Sequence, residues 1–297
     1  MRHSVRQAAF AKINLCLQVH GKRPDGYHEL RTIYQAVSLH DSLELRFASR
    51  RGITLEIDDR ALPTGSRNLV WRAIAAVKRE LHERRGIHAK LTKRIPVARG
   101  LGGGSSDAAA ALIGMIRLTG RSLPLPKLMQ IASSLGADVP FFLFGGRAMG
   151  VSRGDEIYPL PDEPRRAVLI VSPRDIGVST RDAYAWLDRR LTKAPSPHRL
   201  WSFCALCWSR QDGGVSNDFE AAVFRRYPRL GQIKRALLRG GAAEAALAGS
   251  GSAVFGVFRN PAQARRAAQG FPKDQVFVTR TLSREDYRKA VLWQGTP

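Results

Sequence analysis

The sequence is poor in cysteine and has no long hydrophobic run. It contains three cysteines in 297 residues, Cys16, Cys204 and Cys207, and so small an odd number does not indicate a disulfide framework. Cys204 and Cys207 form a CxxC pair without a second pair of zinc ligands, so two half-buried thiols are expected. The sequence has no stretch of about 18 apolar residues, so it gives no indication of a membrane span. The first residues lack the features of a signal peptide, and the sequence predicts a cytoplasmic protein.

Acidic residues are also scarce. There are 25 of them against 48 lysines and arginines, which gives a formal net charge of +23. Such an excess is one indication of nucleic-acid binding, but the basic residues are scattered, and no aromatic RNA-binding motif, zinc finger or basic zipper accompanies them. General attraction to anionic ligands would also explain the charge. Nucleic-acid binding is therefore an alternative that the sequence does not favour.

Alternating hydrophobicity predicts that the chain begins with β-structure. Over residues 9–20 every second residue is apolar, which is the period of a half-buried strand. The other face of this strand carries Lys12 and Asn14 side by side. Further strands are predicted at 32–39, 42–47, 53–57 and 87–92, and helices at 69–81, 105–118 and 127–135. Ser66 is the expected cap of the first helix.

A proline-rich segment is predicted to separate two domains. Residues 157–166 contain three prolines, so domains are expected at 1–160 and 161–297. The second half is predicted to form strands at 167–172, 244–248, 252–258 and 275–281, and helices at 180–190, 217–240 and 261–270. Without the helices of 217–240, this order is β-α-β-β-α-β, which predicts a split βαβ sandwich.

The most informative motif is a glycine-rich segment between a predicted strand and a predicted helix. Glycine occupies four of the five positions 100–104, and the entropic cost of ordering so many glycines needs a reason. Backbone without side chains can approach an anion closely, and the N–H groups of a first helical turn point at it. Residues 96–106 are therefore predicted to bind phosphate rather than to form a turn without a ligand. Ser105 or Ser106 is expected to cap the helix and to reach a phosphate or Mg²⁺.

This segment matches neither common nucleotide-binding pattern. The Walker pattern requires a lysine after the glycines, and Ser105 stands where the Rossmann pattern has its third glycine. A cation must then come from elsewhere, and Lys12 is the candidate; its alternative is a solvated strand lysine. Asp138 precedes a run of apolar residues, which predicts partial burial and a charged partner. The alternative for Asp138 is a turn residue bonded to local backbone.

Seven segments, in order along nearly the whole chain, resemble the GHMP kinase superfamily. They are AKINLCL (11–17), RPDGYHEL (23–30), IPVARGLGGGSSDA (95–108), GADVPFF (136–142), VSTRDAY (178–184), NDFE (217–220) and AGSGS (248–252). The glycine-rich segment alone indicates only this superfamily. The first two segments together are similar to its members that phosphorylate the 2-hydroxyl of 4-diphosphocytidyl-2-C-methyl-D-erythritol in the non-mevalonate route to isoprenoid precursors.

The resemblance implies an α+β two-domain GHMP kinase fold, with an N-terminal domain like the second domain of ribosomal protein S5 and a C-terminal ferredoxin-like α/β sandwich. It implies ATP as phosphoryl donor, Mg²⁺ as metal ion, and Lys12 and Asp138 as the catalytic pair. ATP is expected to contact Asn68, Leu69, Pro96, Val97, Ala98, Arg99, Gly100, Leu101, Gly102, Gly103, Gly104, Ser105 and Ser106. The acceptor is expected to contact Asn14, Tyr27, His28, Thr180 and Tyr184. The ligands of Mg²⁺ stay open, with Ser106 as a candidate and Asp107 unassigned.

The chemistry implied by the resemblance is a direct phosphoryl transfer. Asp138 would accept the proton of the acceptor hydroxyl, and Lys12 would stabilise negative charge. The rings of Tyr27 and Tyr184 would stack on the cytosine. The alternatives are a GHMP kinase for homoserine, mevalonate or a sugar, a basic nucleic-acid-binding protein on the same scaffold, and an inactive family member.

Overall fold

The computed structural model describes residues 4–188, 203–204, 207 and 214–292. The strands are β1 (Ser4–Lys22), β2 (His28–Ala48), β3 (Ile53–Ile57), β4 (Gly86–Thr92), β5 (Arg147–Val151), β6 (Glu156–Pro159), β7 (Ala167–Ser172), β8 (Ser216–Asn217), β9 (Glu244–Leu247), β10 (Val254–Phe258) and β11 (Gln275–Arg280). The helices used below are α1 (Leu69–Glu80), α2 (Gly103–Thr119), α3 (Leu125–Leu135), α4 (Phe141–Phe144), α5 (Thr180–Asp188), α6 (Glu220–Arg226), α7 (Pro228–Arg239), α8 (Pro261–Ala268) and α9 (Arg284–Leu292). Within these residues, no helix has both the length and the apolar character needed to cross a membrane.

A long antiparallel hairpin of β1 and β2 forms the centre of the first sheet. The sheet order is β3-β4-β2-β1-β8, with β5 paired to β2 and β6 paired to β5. β2 continues through residues that the sequence assigned to two strands, 32–39 and 42–47, so that division was wrong. Phe10 pairs with His40 and Lys12 with Ala36, which places residues 37–39 opposite Ala11 alone. This bulge bends β2 without ending it, because pairing with β1 resumes on both sides.

The polar face of β1 is buried as well as its apolar face. Ala11 and Ile13 pack with Ile170 in the hydrophobic cluster between the two sheets. Lys12 and Asn14, on the opposite face, are only 4% and 1% exposed. A charged and an amide side chain withdrawn from water in this way require polar partners, and those partners form the site described below.

The second sheet has the antiparallel order β11-β7-β10-β9. In the β-α-β-β-α-β series these strands are the fourth, first, third and second, which confirms the predicted ferredoxin-like sandwich. β7 is apolar apart from its last residue, Ser172, and both of its faces are buried. Leu169 and Val171 pack among the helices that cover this sheet, whereas Val168 and Ile170 pack toward β1.

Two elements from the second half of the chain return to the first sheet. β8 pairs in parallel with β1. α9 packs on the N-terminal part of β1, where the Tyr287 ring lies 5.3 Å from the Phe10 ring and the Tyr287 hydroxyl donates to the Phe142 carbonyl at 2.7 Å. Since both halves contribute to the surroundings of β1, the domain limits 1–160 and 161–297 stay a prediction.

The first helix begins differently from its prediction. Asn68, and not Ser66, is the N-cap of α1: its Oδ1 accepts the Val70 N–H at 2.8 Å. The Nδ2 of the same side chain donates to the Pro63 carbonyl at 2.8 Å. Asn68 therefore joins the start of α1 to the preceding loop. The sequence predicted Asn68 only as a contact of ATP and did not predict this structural role.

Candidate active site

A cavity of about 930 Å³ is lined by residues from both halves of the chain, a volume within the range of small-molecule sites. The sequence-predicted residues that line it are Lys12, Asn14, Tyr27, His28, Asn68, Leu69, Pro96, Val97, Ala98, Arg99, Gly100, Leu101, Gly102, Gly103, Gly104, Ser105, Asp138, Thr180 and Tyr184. Ser106, the candidate metal ligand, is 1% exposed and lies behind the cavity wall. The structure thus brings all the other predicted residues to one site.

Lys12 and Asp138 meet in the wall of this cavity. The Lys12 Nζ donates to the Asn14 Oδ1 at 2.8 Å and lies 3.6 Å from the Asp138 Oδ2. The Lys12 side chain is 5% exposed and the Asp138 side chain is 32% exposed. A carboxylate that a ligand can reach is therefore held next to a buried cation, whose charge acts more strongly there than it would in water.

Tyr34 is a site residue that sequence reasoning missed. Its hydroxyl donates to the Asp138 Oδ1 at 3.0 Å and lies 3.2 Å from the Gly154 carbonyl. Burial, together with the charge of Asp138, raises the pKa of Tyr34 well above its usual value, so the hydroxyl keeps its proton and remains a donor. Tyr34 pairs opposite Asn14 in the β1–β2 hairpin. Knowledge of that register would have indicated Tyr34 as a site residue, but the sequence pattern alone does not determine the register.

A chain of hydrogen bonds sets the orientation of the Asn14 amide. Its Nδ2 donates to the Thr32 Oγ1 at 2.7 Å, and the Thr32 hydroxyl donates to the Cys16 carbonyl at 2.7 Å. The Asn14 nitrogen is therefore directed at Thr32, and its oxygen is left to accept from Lys12. Thr32, like Tyr34, reaches the site from β2.

The glycine-rich segment is a backbone cradle in which Gly100 is sterically required. Gly100 has a φ of +79°, and a Cβ there would lie 1.8 Å from the Ala248 carbonyl oxygen. The space above Gly104 is open by contrast, with only the Leu69 Cδ1 at 3.9 Å from a Cβ position. The segment thus packs against the second half of the chain at one end and leaves bare backbone facing the cavity at the other. This arrangement fits an anion.

The helix that follows the cradle starts without a side-chain cap. α2 begins at Gly103, and its N-cap is Gly102 with a φ of +73°. Ser105 and Ser106 therefore lie inside the first turn, so the expectation that one of them caps the helix was wrong. The first turn has no acidic residue, and the N–H groups at this end are available to a negatively charged ligand.

A buried cluster of Lys93, Asp41 and Asp107 lies beside the cradle, with Lys93 and Asp107 also lining the cavity, and the sequence did not indicate this cluster. The Lys93 Nζ donates to the Asp107 Oδ2 at 2.6 Å and also to Asp41. Asp41 accepts the Ile95 N–H at 2.8 Å. Burial raises the pKa of Asp107 to about 8, with the Lys93 charge opposing and the Asp41 charge adding to the shift. The cluster joins β2, the entry to the cradle and the start of α2.

The protein offers few ligands of its own to a metal ion. Across the described ranges 4–188, 203–204, 207 and 214–292, no group of three His, Cys, Asp or Glu residues could hold one. A Mg²⁺ site built from substrate phosphates and one or two carboxylates remains compatible with this donor set.

Cys204 is exposed and Cys207 half-buried, so the expectation of two half-buried thiols was wrong for Cys204. Residues 205–206 of that CxxC lie outside the described residues.

Aromatic side chains form the far end of the cavity. The Tyr184 ring stacks on the His28 ring at 4.5 Å and 19° and meets the Phe219 ring edge-on at 4.9 Å. Burial, then the charges of Asp138 and Asp188, raise the pKa of Tyr184. Tyr27 is 55% exposed and carries the Arg153 guanidinium at 5.0 Å from its ring centre. The two tyrosines thus present apolar rings to a ligand.

Polar partners fix the residues around these rings. The His28 Nε2 lies 2.5 Å from the Asp188 Oδ1, and the Thr180 and Ser250 hydroxyls are 3.1 Å apart. Asp188 was not predicted, although it follows Tyr184 by four residues on α5 and so shares its helical face. A ligand at this end would meet flat rings bordered by hydrogen-bonding groups.

Comparison with protein families gives two matches. The model for the GHMP kinases N terminal domain matches residues 68–146, and the model for the GHMP kinases C terminal domain matches residues 205–275. The first of these ranges contains the glycine-rich cradle and Asp138. Together the two matches cover about half of the chain.

Similar proteins were found by sequence and by structure. The 4-diphosphocytidyl-2-C-methyl-D-erythritol kinase of Solibacter usitatus is 47% identical, over 96% of this chain and 90% of that protein. The enzyme of the same name from Pelotomaculum thermopropionicum is 38% identical, over 93% and 97%. A crystal structure of 4-(cytidine 5'-diphospho)-2C-methyl-D-erythritol kinase is 31% identical with a TM-score of 0.79, over 93% and 99% of the two chains. Homoserine kinase from Cytophaga hutchinsonii, 21% identical with a TM-score of 0.74 over 95% and 96%, shares the fold.

Proposed function

The chain belongs to the GHMP kinase family and is a small-molecule kinase, and on that premise we propose that it transfers the γ-phosphoryl group of ATP to the 2-hydroxyl of 4-diphosphocytidyl-2-C-methyl-D-erythritol. The names of its relatives support this acceptor and a place in isoprenoid precursor synthesis. The observation that carries the proposal is a single cavity with an anion cradle, the Lys12–Asp138 pair and an aromatic end.

The cradle is proposed to hold the phosphates of the donor. ATP with Mg²⁺ supplies the phosphoryl group and neutralises part of its charge. The bare backbone of residues 102–104 and the first N–H groups of α2 are the groups that would bind the phosphate oxygens. Asn68 and Leu69, at the start of α1, border the same part of the cavity and would lie near the base.

Asp138 and Lys12 are proposed to act on the acceptor hydroxyl. The Asp138 carboxylate would accept the proton of the acceptor hydroxyl at its Oδ2, because Oδ1 already accepts the Tyr34 hydroxyl. Lys12, 3.6 Å from Oδ2, would stabilise the negative charge that spreads over the transferring group. Most of the rate enhancement would come from positioning and electrostatics, since phosphoryl transfer needs little covalent participation by the protein.

The aromatic end is proposed to bind the cytosine of the acceptor. Tyr27 and Tyr184 offer rings for stacking, and His28, whose Nε2 faces Asp188, offers its Nδ1 to the edge of the base. Asn14 and Thr180 line the same cavity. Asn14 lies next to Lys12, and Thr180 lies next to Ser250; in these positions they would contact the rest of the acceptor.

A panel of acceptors tests the proposed function directly. Purified full-length protein with Mg·ATP is expected to release ADP with 4-diphosphocytidyl-2-C-methyl-D-erythritol, and not with homoserine, mevalonate or galactose. A preference for any of the other three would assign a different acceptor. Salt-dependent binding of nucleic acid without ATP turnover would favour the alternative raised by the net charge of +23. The cytoplasmic location stays a prediction.

Tyr27→Ala is expected to raise the KM for the cytidyl acceptor by roughly 5- to 150-fold while changing kcat little, because stacking of a base on an aromatic ring contributes about 1–3 kcal/mol. The KM for ATP should not change. Tyr158→Ala is the matched control, since Tyr158 is 50% exposed and outside the cavity. Steady-state kinetics with each substrate varied would check the prediction, and an unchanged acceptor KM would refute stacking on Tyr27.

A further inference from the structure

Arg99 is a charged residue in the cradle whose function the proposed chemistry leaves open. It is the only charged residue of the segment 96–106, and it lines the cavity. Its Nη1 donates to the Ser252 Oγ at 2.7 Å, and its Nη2 lies 3.3 Å from the Arg174 carbonyl, to which it donates. Both partners belong to the second half of the chain, so the side chain bridges the cradle to other elements.

The first of these elements is the linking turn, residues 248–253, between β9 and β10. The Ala253 N–H donates to the Arg99 carbonyl at 3.2 Å. Gly100 approaches Ala248 so closely that a Cβ would overlap its carbonyl oxygen, at 1.8 Å. The cradle and the linking turn are therefore in direct backbone contact, and the Arg99 side chain adds a polar bond across the same contact.

The linking turn also touches the part of the chain that faces the acceptor. The Ser252 Oγ that accepts from Arg99 itself donates to the Ile176 carbonyl at 2.5 Å. Ser250 lies 3.1 Å, hydroxyl to hydroxyl, from Thr180. Ile176 and Arg174 belong to residues 173–179, which lead into α5 and so position Thr180 and Tyr184.

The chemistry of Arg99 suits a connection that responds to a ligand. Its two hydrogen-bond partners are a hydroxyl and a carbonyl, both neutral, and a guanidinium has five N–H donors. A polyphosphate in the cradle would lie beside a charge that these bonds do not neutralise; the nearby Asp175 carboxylate is itself paired with Arg229, at 2.6 Å. Ordering the cradle, the linking turn and residues 173–179 for one ligand would lower the entropic cost of ordering them for the other.

We infer that Arg99 is a positioning residue that couples the nucleotide end of the cavity to the acceptor end, so that each substrate binds more tightly when the other is present. This inference rests on the proposed function, because it assumes a nucleotide at the cradle and a cytidyl acceptor beside α5. Coupling of this kind is reciprocal: the nucleotide must change the affinity for the acceptor by the same factor by which the acceptor changes the affinity for the nucleotide.

The test is a binding cycle on the full-length protein. The Kd of adenylyl imidodiphosphate with Mg²⁺ is measured by calorimetry with and without saturating 4-diphosphocytidyl-2-C-methyl-D-erythritol, and the reverse titration is made as well. In the wild type we expect each ligand to tighten the other by about 5- to 20-fold. In Arg99→Ala the factor should fall to about 1, while each ligand alone still binds. Arg99→Lys keeps the charge but not the planar fork, and should give an intermediate factor.

Arg165→Ala is the matched control, because it removes an arginine whose partner, Asp286, lies outside the cavity; it should keep the wild-type factor. Full coupling in Arg99→Ala would overturn the inference. So would an equal weakening of nucleotide binding with and without acceptor, which would make Arg99 a plain nucleotide ligand. Acceptor binding without coupling in the wild type would refute the coupling alone. Failure of the wild type to bind the acceptor at all would refute the proposed function and the coupling with it.

Discussion

Asp138→Asn is expected to reduce kcat by about 10²- to 10⁴-fold, the span typical of losing a positioned proton acceptor. Asparagine has nearly the shape of aspartate and can still accept the Tyr34 hydroxyl bond, which is 3.0 Å long in the native protein. It cannot take the proton of the acceptor hydroxyl, and it presents no charge to Lys12, 3.6 Å away. Because the cradle and the aromatic end are unchanged, both KM values should change far less than kcat.

Single-turnover phosphoryl transfer at saturating Mg·ATP would measure this loss without interference from product release. Asp286→Asn is the control: it removes a carboxylate that Arg165 contacts at the surface, where an ion pair contributes little, and it should leave turnover unchanged. If Asp138→Asn turned over within about threefold of the wild type, Asp138 would not be the proton acceptor, because such a loss lies far below the usual range.

Lys12→Met is expected to lower kcat by roughly 10²- to 10³-fold, the cost of removing a group that stabilises charge in a transition state. The native side chain is 5% exposed, so bulk solvent has little access with which to compensate for the lost charge. Methionine keeps the aliphatic packing against Gly102, since a Cβ added to Gly102 would lie only 3.1 Å from the Lys12 Cγ. The loss should therefore be one of charge and of the bond to Asn14, 2.8 Å long, rather than of packing.

Lys234→Met is the matched control for this substitution. Lys234 is paired with Glu220 at 2.6 Å and lies outside the cavity, so its loss should leave kcat unaltered. If Lys12 and Asp138 act as a unit, the double variant should lose little more activity than the poorer single variant. Multiplicative losses would indicate that the two residues act independently, and an active Lys12→Met protein would remove Lys12 from the mechanism.

The parts of the fold that depend on local pattern could be predicted from the sequence. β7 and β10 lie within the predicted strands 167–172 and 252–258, and α3 ends at Leu135, before Gly136, as its pattern indicated. The prediction failed where distant pairing decides the outcome. β2 continues through residues 40 and 41, where a break was predicted, because both residues pair with β1, and the bulge lies in β2 itself at residues 37–39. No pattern within β2 contains that information.

The candidate site divides in the same way. The cradle, Lys12 and Asp138 could be found because their residue types are unusual for their local setting, and the family resemblance supplied the acceptor residues. Tyr34, Lys93 and Asp188 were missed because each takes part through a partner that is distant in sequence: Asp138, Asp41 and His28 respectively. Their roles follow from tertiary pairing, which a single sequence does not reveal.

The return of α9 to the first sheet bears on how the chain is synthesised. Until α9 has left the ribosome, the Phe10 ring and the Phe142 carbonyl lack the Tyr287 side chain that contacts both. β1 likewise waits for β8. The earliest-made half would thus emerge with uncovered apolar surface, the condition under which nascent chains misassociate or engage chaperones. Folding of the first sheet would wait for β8 and α9 from the second half, so the two halves would reach the native state together rather than in succession.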